Sequence, residues 1–181
     1  MTIPYSIGSN KVADCFGEVD SILDEKTLLN VIDECVLSSE IVFFHFLLQS
    51  EFSMGIPKHR FYGSFLLACT TGQLAHVKAF LQFGIDPNCV SCTDETGISS
   101  SAAWGNDAVI LELINSGAML RNFELDANEE LSLIFRNCSP DTIRELLSIF
   151  KKEFSVHSFA TIVDFANSAG RVDVADYLRK S

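Results

Sequence analysis

The chain has 181 residues, enough for one domain or for a short array of repeats counted as one. Apolar residues make up 48% and charged residues 20%, and 24 acids against 13 bases leave a net charge of −11. That composition excludes a chain that is disordered throughout, sets its field against phosphate backbones and anionic membrane surfaces, and offers no apolar run near the roughly 18 residues of a membrane span.

Residues 1–25 carry no Lys or Arg before Lys11 and no small-residue cleavage pattern, so no targeting signal is expected there. Gly17 and the acids Asp14, Glu18, Asp20 and Asp24 suggest a loosely attached arm or an extra cap helix. From Lys26 to Phe52 the chain is rich in apolar residues, including Phe43, Phe44 and Phe46, around the half-buried candidate His45. There are 15 Phe in all, and most of them are expected in the core. A stripe left uncovered at the N-terminal end would instead serve a partner or an oligomer.

The decisive pattern starts at Gly63. A short helix near Ser64 packs Phe65, Leu67 and Ala68, and Gly72 turns the chain. A second helix follows over about Leu74 to Phe83, with its stripe at Leu74, Val77, Phe80 and Leu81 and His76 on its polar flank. Gly84 stops it, and a turn-rich segment runs to Thr93. A slide of 33 residues carries Gly72 onto Gly105, Gly84 onto Gly117, Cys69 onto Ala102, Phe80 onto Leu113 and Leu81 onto Ile114. A second slide keeps the apolar positions Leu133, Ile143, Leu146 and Leu147 but loses both glycines, to Cys138 and Phe150. There Ser139-Pro140-Asp141 starts a helix, with Pro at its first position and an acid in its first turn. The pattern returns at Gly170 to Leu178, one residue early, and a backward slide from Gly72 sets Cys35 and Val36 at the small pair and Leu47 and Leu48 at Phe80 and Leu81. No such unit buries its stripe alone, so the units must stack.

Gly72 to Asn88 resembles the second half of an ankyrin repeat, and Thr96 to Gly105 the first half, with Gly97 in place of the family's Pro and Ser99 in place of its His. The likeness is closest over residues 60–121 and looser over 26–52, 124–152 and 158–181. It implies an all-α, ankyrin-like solenoid of about five helical-hairpin units (about 26–52, 60–90, 91–121, 124–152 and 158–181) with atypical terminal caps. It also implies a non-enzymatic module that binds a protein partner through a concave face and finger loops. The two positions before each turning glycine face that groove in the family, here Thr70-Thr71, Ala103-Trp104 and Arg136-Asn137, with Tyr62 and Glu95 among the fingertip residues; Asp126 and Asn128 tip a third finger. Trp104, the single Trp, is either a local packing residue or an exposed anchor of the kind enriched in binding hot spots.

Chemistry-bearing patterns are sparse. Cys89 and Cys92 form one CxxC, half of what a zinc site requires, and it falls in a finger; no metal or cofactor is expected. The six cysteines are irregularly spaced, which reads as free thiols in a reducing compartment. A divergent cysteine-dependent enzyme would have to pair Cys138 with His157; a structural homo-oligomer joined through the Phe-rich N-terminal unit is a further alternative. The reading that results is a cytoplasmic or host-delivered monomer acting as an adaptor, inhibitor or effector. Its acidic groove or finger edge would favour a partner with a basic surface, with no nucleic acid and no membrane insertion.

Overall fold

A computed structural model describes residues 24–120, 129–150, 162–164 and 166–180, and all regular structure in it is helical apart from one isolated antiparallel bridge between Val90 and Thr96. The expectations for the arm, for Cys15, for the acidic entry at Glu124, for the third fingertip and for His157 lie outside the described residues.

Helix α1 is Glu25–Ser38, with Asp24 at its N-cap accepting from the Thr27 amide at 2.7 Å. Helix α2 is Ile41–Gln49, and a five-residue helix α3, Glu51–Gly55, follows. A 3-10 turn at Lys58–Phe61 leads into α4, Tyr62–Thr70, and α5 is Leu74–Gln82. Next come α6, Gly97–Ala103, and α7, Asp107–Asn115. Then α8, Glu129–Asn137, and α9, Pro140–Phe150, precede short helical stretches at 162–164 and 166–168 and the last helix α10, Val172–Lys180. Two helical elements, α3 and the 3-10 turn, are absent from the expectation because they carry no 33-residue counterpart.

The helices pack in two rows. One row runs α1, α4, α6, α8, each in contact with the next. The other runs α2, α5, α7, α9, α10, again each against the next. A helix in either row is covered on several sides, so its buried face is broad. That explains the main departure from the stripe expected for α5, where His76, Val77, Ala79 and Phe80 are buried while Leu74 and Leu81 are half-buried. His76 is therefore a core residue, not a polar flank residue.

The ends of the first-row helices repeat one geometry. Gly72 donates to the Cys69 carbonyl and Gln73 to that of Ala68; Gly105 donates to Ala102 and Asn106 to Ser101. These paired bonds form the Schellman motif, which needs a left-handed residue at the turn, and the φ values are 71° and 67°. Ser39, 33 residues before Gly72, does the same with φ 60°, donating to Val36 while Glu40 donates to Cys35. The motif recurs once more at Gly170. The second-row ends match as well, since Gly84 and Ile85 reach Leu81 and Phe80 while Gly117 and Ala118 reach Ile114 and Leu113.

Edge-to-face rings lock the N-terminal half. Phe44 of α2 meets Phe80 of α5 at 4.9 Å, Phe65 of α4 meets Phe80 at 5.9 Å, and Phe61 meets Phe83 at 5.2 Å. Such pairs add about 1 kcal/mol each beyond the area they bury. Phe44, Phe61, Phe65 and Phe80 are fully buried, whereas Phe43 and Phe46 are partly exposed on α2. Among the described residues no helix is long and apolar enough to cross a membrane.

Candidate functional site

The candidate surface is built from helix ends. Thr71 and Trp104 are the C-cap residues of α4 and α6, each directly before the left-handed glycine. Contacts from α4 to α6 and from α6 to α8 set the pairs Thr70-Thr71, Ala103-Trp104 and Arg136-Asn137 along one edge of the first row. An α-helix leaves its last carbonyls without internal partners. Here the next unit supplies them. Asn106 Nδ2 donates to the carbonyls of Cys69 at 2.9 Å and Thr70 at 2.8 Å. Asn137 Nδ2 donates to those of Ala102 at 3.0 Å and Ala103 at 3.2 Å. Arg171 extends the series, with Nη1 at 3.1 Å from the Phe135 carbonyl and 2.8 Å from that of Cys138. These clamps hold the edge rigid, which lowers the ordering cost of any binding event there.

Trp104 stands 72% exposed on that edge and takes no part in the core. Ala103 beside it is exposed too, so the pair presents an apolar spot flanked by polar ends. The two threonine hydroxyls bond back to their own helix, Thr70 Oγ1 to the Leu66 carbonyl and Thr71 Oγ1 to that of Leu67, both at 2.8 Å. Arg136 is exposed and donates to Ser132 Oγ. Asn137, a candidate contact residue, positions the edge through its clamp. The edge is thus mostly neutral, with one cation; the acidic character expected of the groove lies on the finger at Asp94 and Glu95, which are exposed.

Tyr62 and Glu95 fall elsewhere. Each lies at the N-terminal side of a first-row helix, and the nine residues of α4 separate Tyr62 from Thr70 by about 12 Å at 1.5 Å per residue. Tyr62 is half-buried, and burial, with Cys89 and Asp86 nearby, raises its phenol above the ordinary value. The eight candidates therefore form two groups, six at the clamped edge and two on the finger side.

Several supporting residues carried no signal in the apolar pattern. Ser91 Oγ accepts the amides of Thr93 at 3.1 Å and Glu95 at 3.0 Å and so shapes the fingertip, where Asp94 takes φ 65°. Asn88 joins one finger base to the next, donating to the Gly117 carbonyl at 3.0 Å and accepting from the Met119 amide at 2.8 Å. Thr96 and Ser99 form a capping box on α6, and Thr96 Oγ1 also donates to the buried Glu130 at the start of α8. Ser and Asn in turn-rich runs are the signal that could have found the first two.

The five cysteines among the described residues are free thiols. Cys138 is buried, and desolvation, reinforced by Asp107, pushes its thiol up to about 12; Cys89 is likewise pushed to about 12 by burial and then by Asp86. Both are protonated at neutral pH, the opposite of what a thiolate nucleophile or metal ligand needs. Cys92, the other half of the CxxC, is exposed while Cys89 is core. Among the described residues no group of three His, Cys, Asp or Glu side chains gathers to hold a metal.

No family model and no curated protein matches this chain.

Proposed function

We propose that the chain is an ankyrin-like solenoid of helical hairpins that binds a partner protein, without chemistry of its own, across the clamped edge and the neighbouring finger. The observation that carries this reading is Trp104, a large aromatic left exposed on an edge where Asn137 already satisfies the carbonyls of Ala102 and Ala103. The recurrence of the Schellman turns at Ser39, Gly72 and Gly105 supports the solenoid. Trp and Arg are the residue types most enriched in binding hot spots, and Trp104 and Arg136 occupy neighbouring helix ends. The exposed carboxylates of the finger add a field that favours a basic patch on the partner. Adaptor, inhibitor and effector roles would all draw on this one surface, in the cytosol where the free thiols persist.

The test is Trp104→Ala, measured by titration against a partner captured on the wild-type chain. Loss of a central aromatic anchor costs about 2 kcal/mol, or about thirtyfold in affinity. The melting temperature should stay within error of wild type, because an exposed side chain contributes little to folding. Undiminished affinity in a folded Trp104→Ala protein would place the partner surface elsewhere.

A further inference from the structure

His76 does not match its surroundings. It stands four residues after Gly72, as Val109 stands after Gly105 and Val174 after Gly170. All three positions are buried, His76 to 1% exposure, yet two are aliphatic and one is a titratable ring. The imidazole lies edge-on to Phe44 of α2 with centroids 4.5 Å apart, and Phe44 in turn packs on Phe80. Neither Nδ1 nor Nε2 has a hydrogen-bond partner. The carbonyls of Glu40 and Cys35 lie close enough to favour the protonated ring, but neither meets hydrogen-bond geometry with it. Burial dominates and holds the pKa below 6.5; the two carbonyls oppose it, His45 adds to it, and the Glu40 carboxylate opposes it last.

We propose that His76 makes the seam between the α1–α2 pair and the rest of the molecule acid-labile, so that protonation of this ring releases α1–α2 from α4–α5. A neutral imidazole with unmet nitrogens is tolerated against the Phe44 ring, while an imidazolium there is cut off from water and has no carbonyl in hydrogen-bond geometry to offset that cost. The released ring takes up its proton near the ordinary histidine value of about 6.5, and the docked ring resists it. Docking is therefore complete above about pH 6.5 and weakens as the pH falls through that value, by up to tenfold per pH unit until the docked pKa is reached.

Other titratable groups around the seam are few. From the α2 side come His45 and Glu40. Helix α1 brings Asp33, Glu34 and Cys35, with Lys26 and Glu25, the latter paired with Arg60, at its far end. From α4 come Tyr62 and Cys69, and α5 itself carries Lys78, paired with Glu112 of α7 at 3.3 Å. Asp107 of α7 accepts from the Ser139 amide. His45 is the other imidazole in this neighbourhood and so needs its own control.

The test is hydrogen exchange of the α1 and α2 amides from pH 7.5 to 5.5, corrected for intrinsic rates and referred to α7, in wild type, His76→Phe, His76→Leu and His45→Gln. In wild type and in His45→Gln, the opening of α1–α2 should rise, by up to about tenfold over this range, while α7 holds. In His76→Phe it should stay flat; His76→Leu, with a smaller side chain, serves the same comparison if the Phe variant does not fold. A flat wild type, an equal rise in the His76 variants, or α7 opening in step with α1–α2 would overturn the proposal. Trp104 lies on a different helix, so failure here leaves the binding reading intact.

Discussion

Gly105 and Gly117 have nearly the same backbone requirement and quite different neighbours. Both are left-handed, with φ 67° and 93°, and both close a Schellman turn. A Cβ added at Gly117 meets nothing within 4 Å, whereas one added at Gly105 lies 2.7 Å from the Asn137 carbonyl oxygen. Gly72 and Gly84 repeat the contrast, with Asn106 Oδ1 at 2.7 Å from the first and open space around the second. The turns at Gly72 and Gly105 thus serve two purposes, a left-handed residue and a close approach of the next unit. The second-row turns serve only the former. A turning glycine therefore marks a stacking contact at Gly72 and Gly105 and a simple stop at Gly84, Gly117 and Gly170.

Alanine substitutions sharpen that comparison. Gly105→Ala should cost the most, about 3 kcal/mol, because about 1–2 comes from the left-handed backbone and the rest from displacing a backbone carbonyl that cannot rotate away. Gly72→Ala should cost about 2 kcal/mol, since the obstructing atom is a side chain, but moving Asn106 breaks its clamp on α4. Gly84→Ala and Gly117→Ala should each cost only about 1 kcal/mol, the backbone share alone. Denaturant melts of the four proteins test the order, and equal losses at all four would show that the clamps contribute nothing.

A weaker effect probes the place where the glycine is missing. Cys138 stands 33 residues after Gly105, but its φ is not positive, and Ser139 Oγ accepts the Thr142 amide at 3.3 Å to start α9. Restoring the glycine by Cys138→Gly should therefore not stabilise the protein. It should cost about 1 kcal/mol, from the lost buried thiol and the added freedom of the unfolded chain. A gain in melting temperature would mean that the turn there is left-handed after all.

The buried thiols set the most selective effect. Burial raises the folded-state pKa of Cys69, Cys89 and Cys138 above the unfolded value near 9. The unfolded chain then loses these protons first, so stability is full below about pH 9 and falls as the pH rises from there toward 12. Melts between pH 8 and 10.5 should show the decline beginning near 9. At pH 8, a thiol reagent followed by peptide mapping should modify exposed Cys92 well ahead of Cys35, Cys69, Cys89 and Cys138.

Much of this was legible from residue order. Local rules decide where the chain turns, because a left-handed turn favours glycine whatever packs around it. Hence Gly72, Gly84, Gly105 and Gly117 mark helix ends in the string as in the structure. The Ser139-Pro140 start of α9 is legible for the same reason: proline at a first helical position lacks only an amide that has no partner there. Trp104 could be singled out as unusual, but not as exposed, since both readings of it satisfied the same pattern.

Tertiary structure decided everything that depends on a neighbour 29 to 37 residues away. Ser39 adopts the left-handed turn without being glycine, so composition concealed it. The two asparagine clamps act from different positions, Asn106 after its glycine and Asn137 before the missing one, which no fixed offset reveals. His76 looks polar on a helical wheel and is buried because α5 is enclosed by α2, α4 and α7. A single amphipathic period describes one covered face, whereas a helix inside a double row is covered on several, and which residues those faces enclose is settled only when the rows assemble.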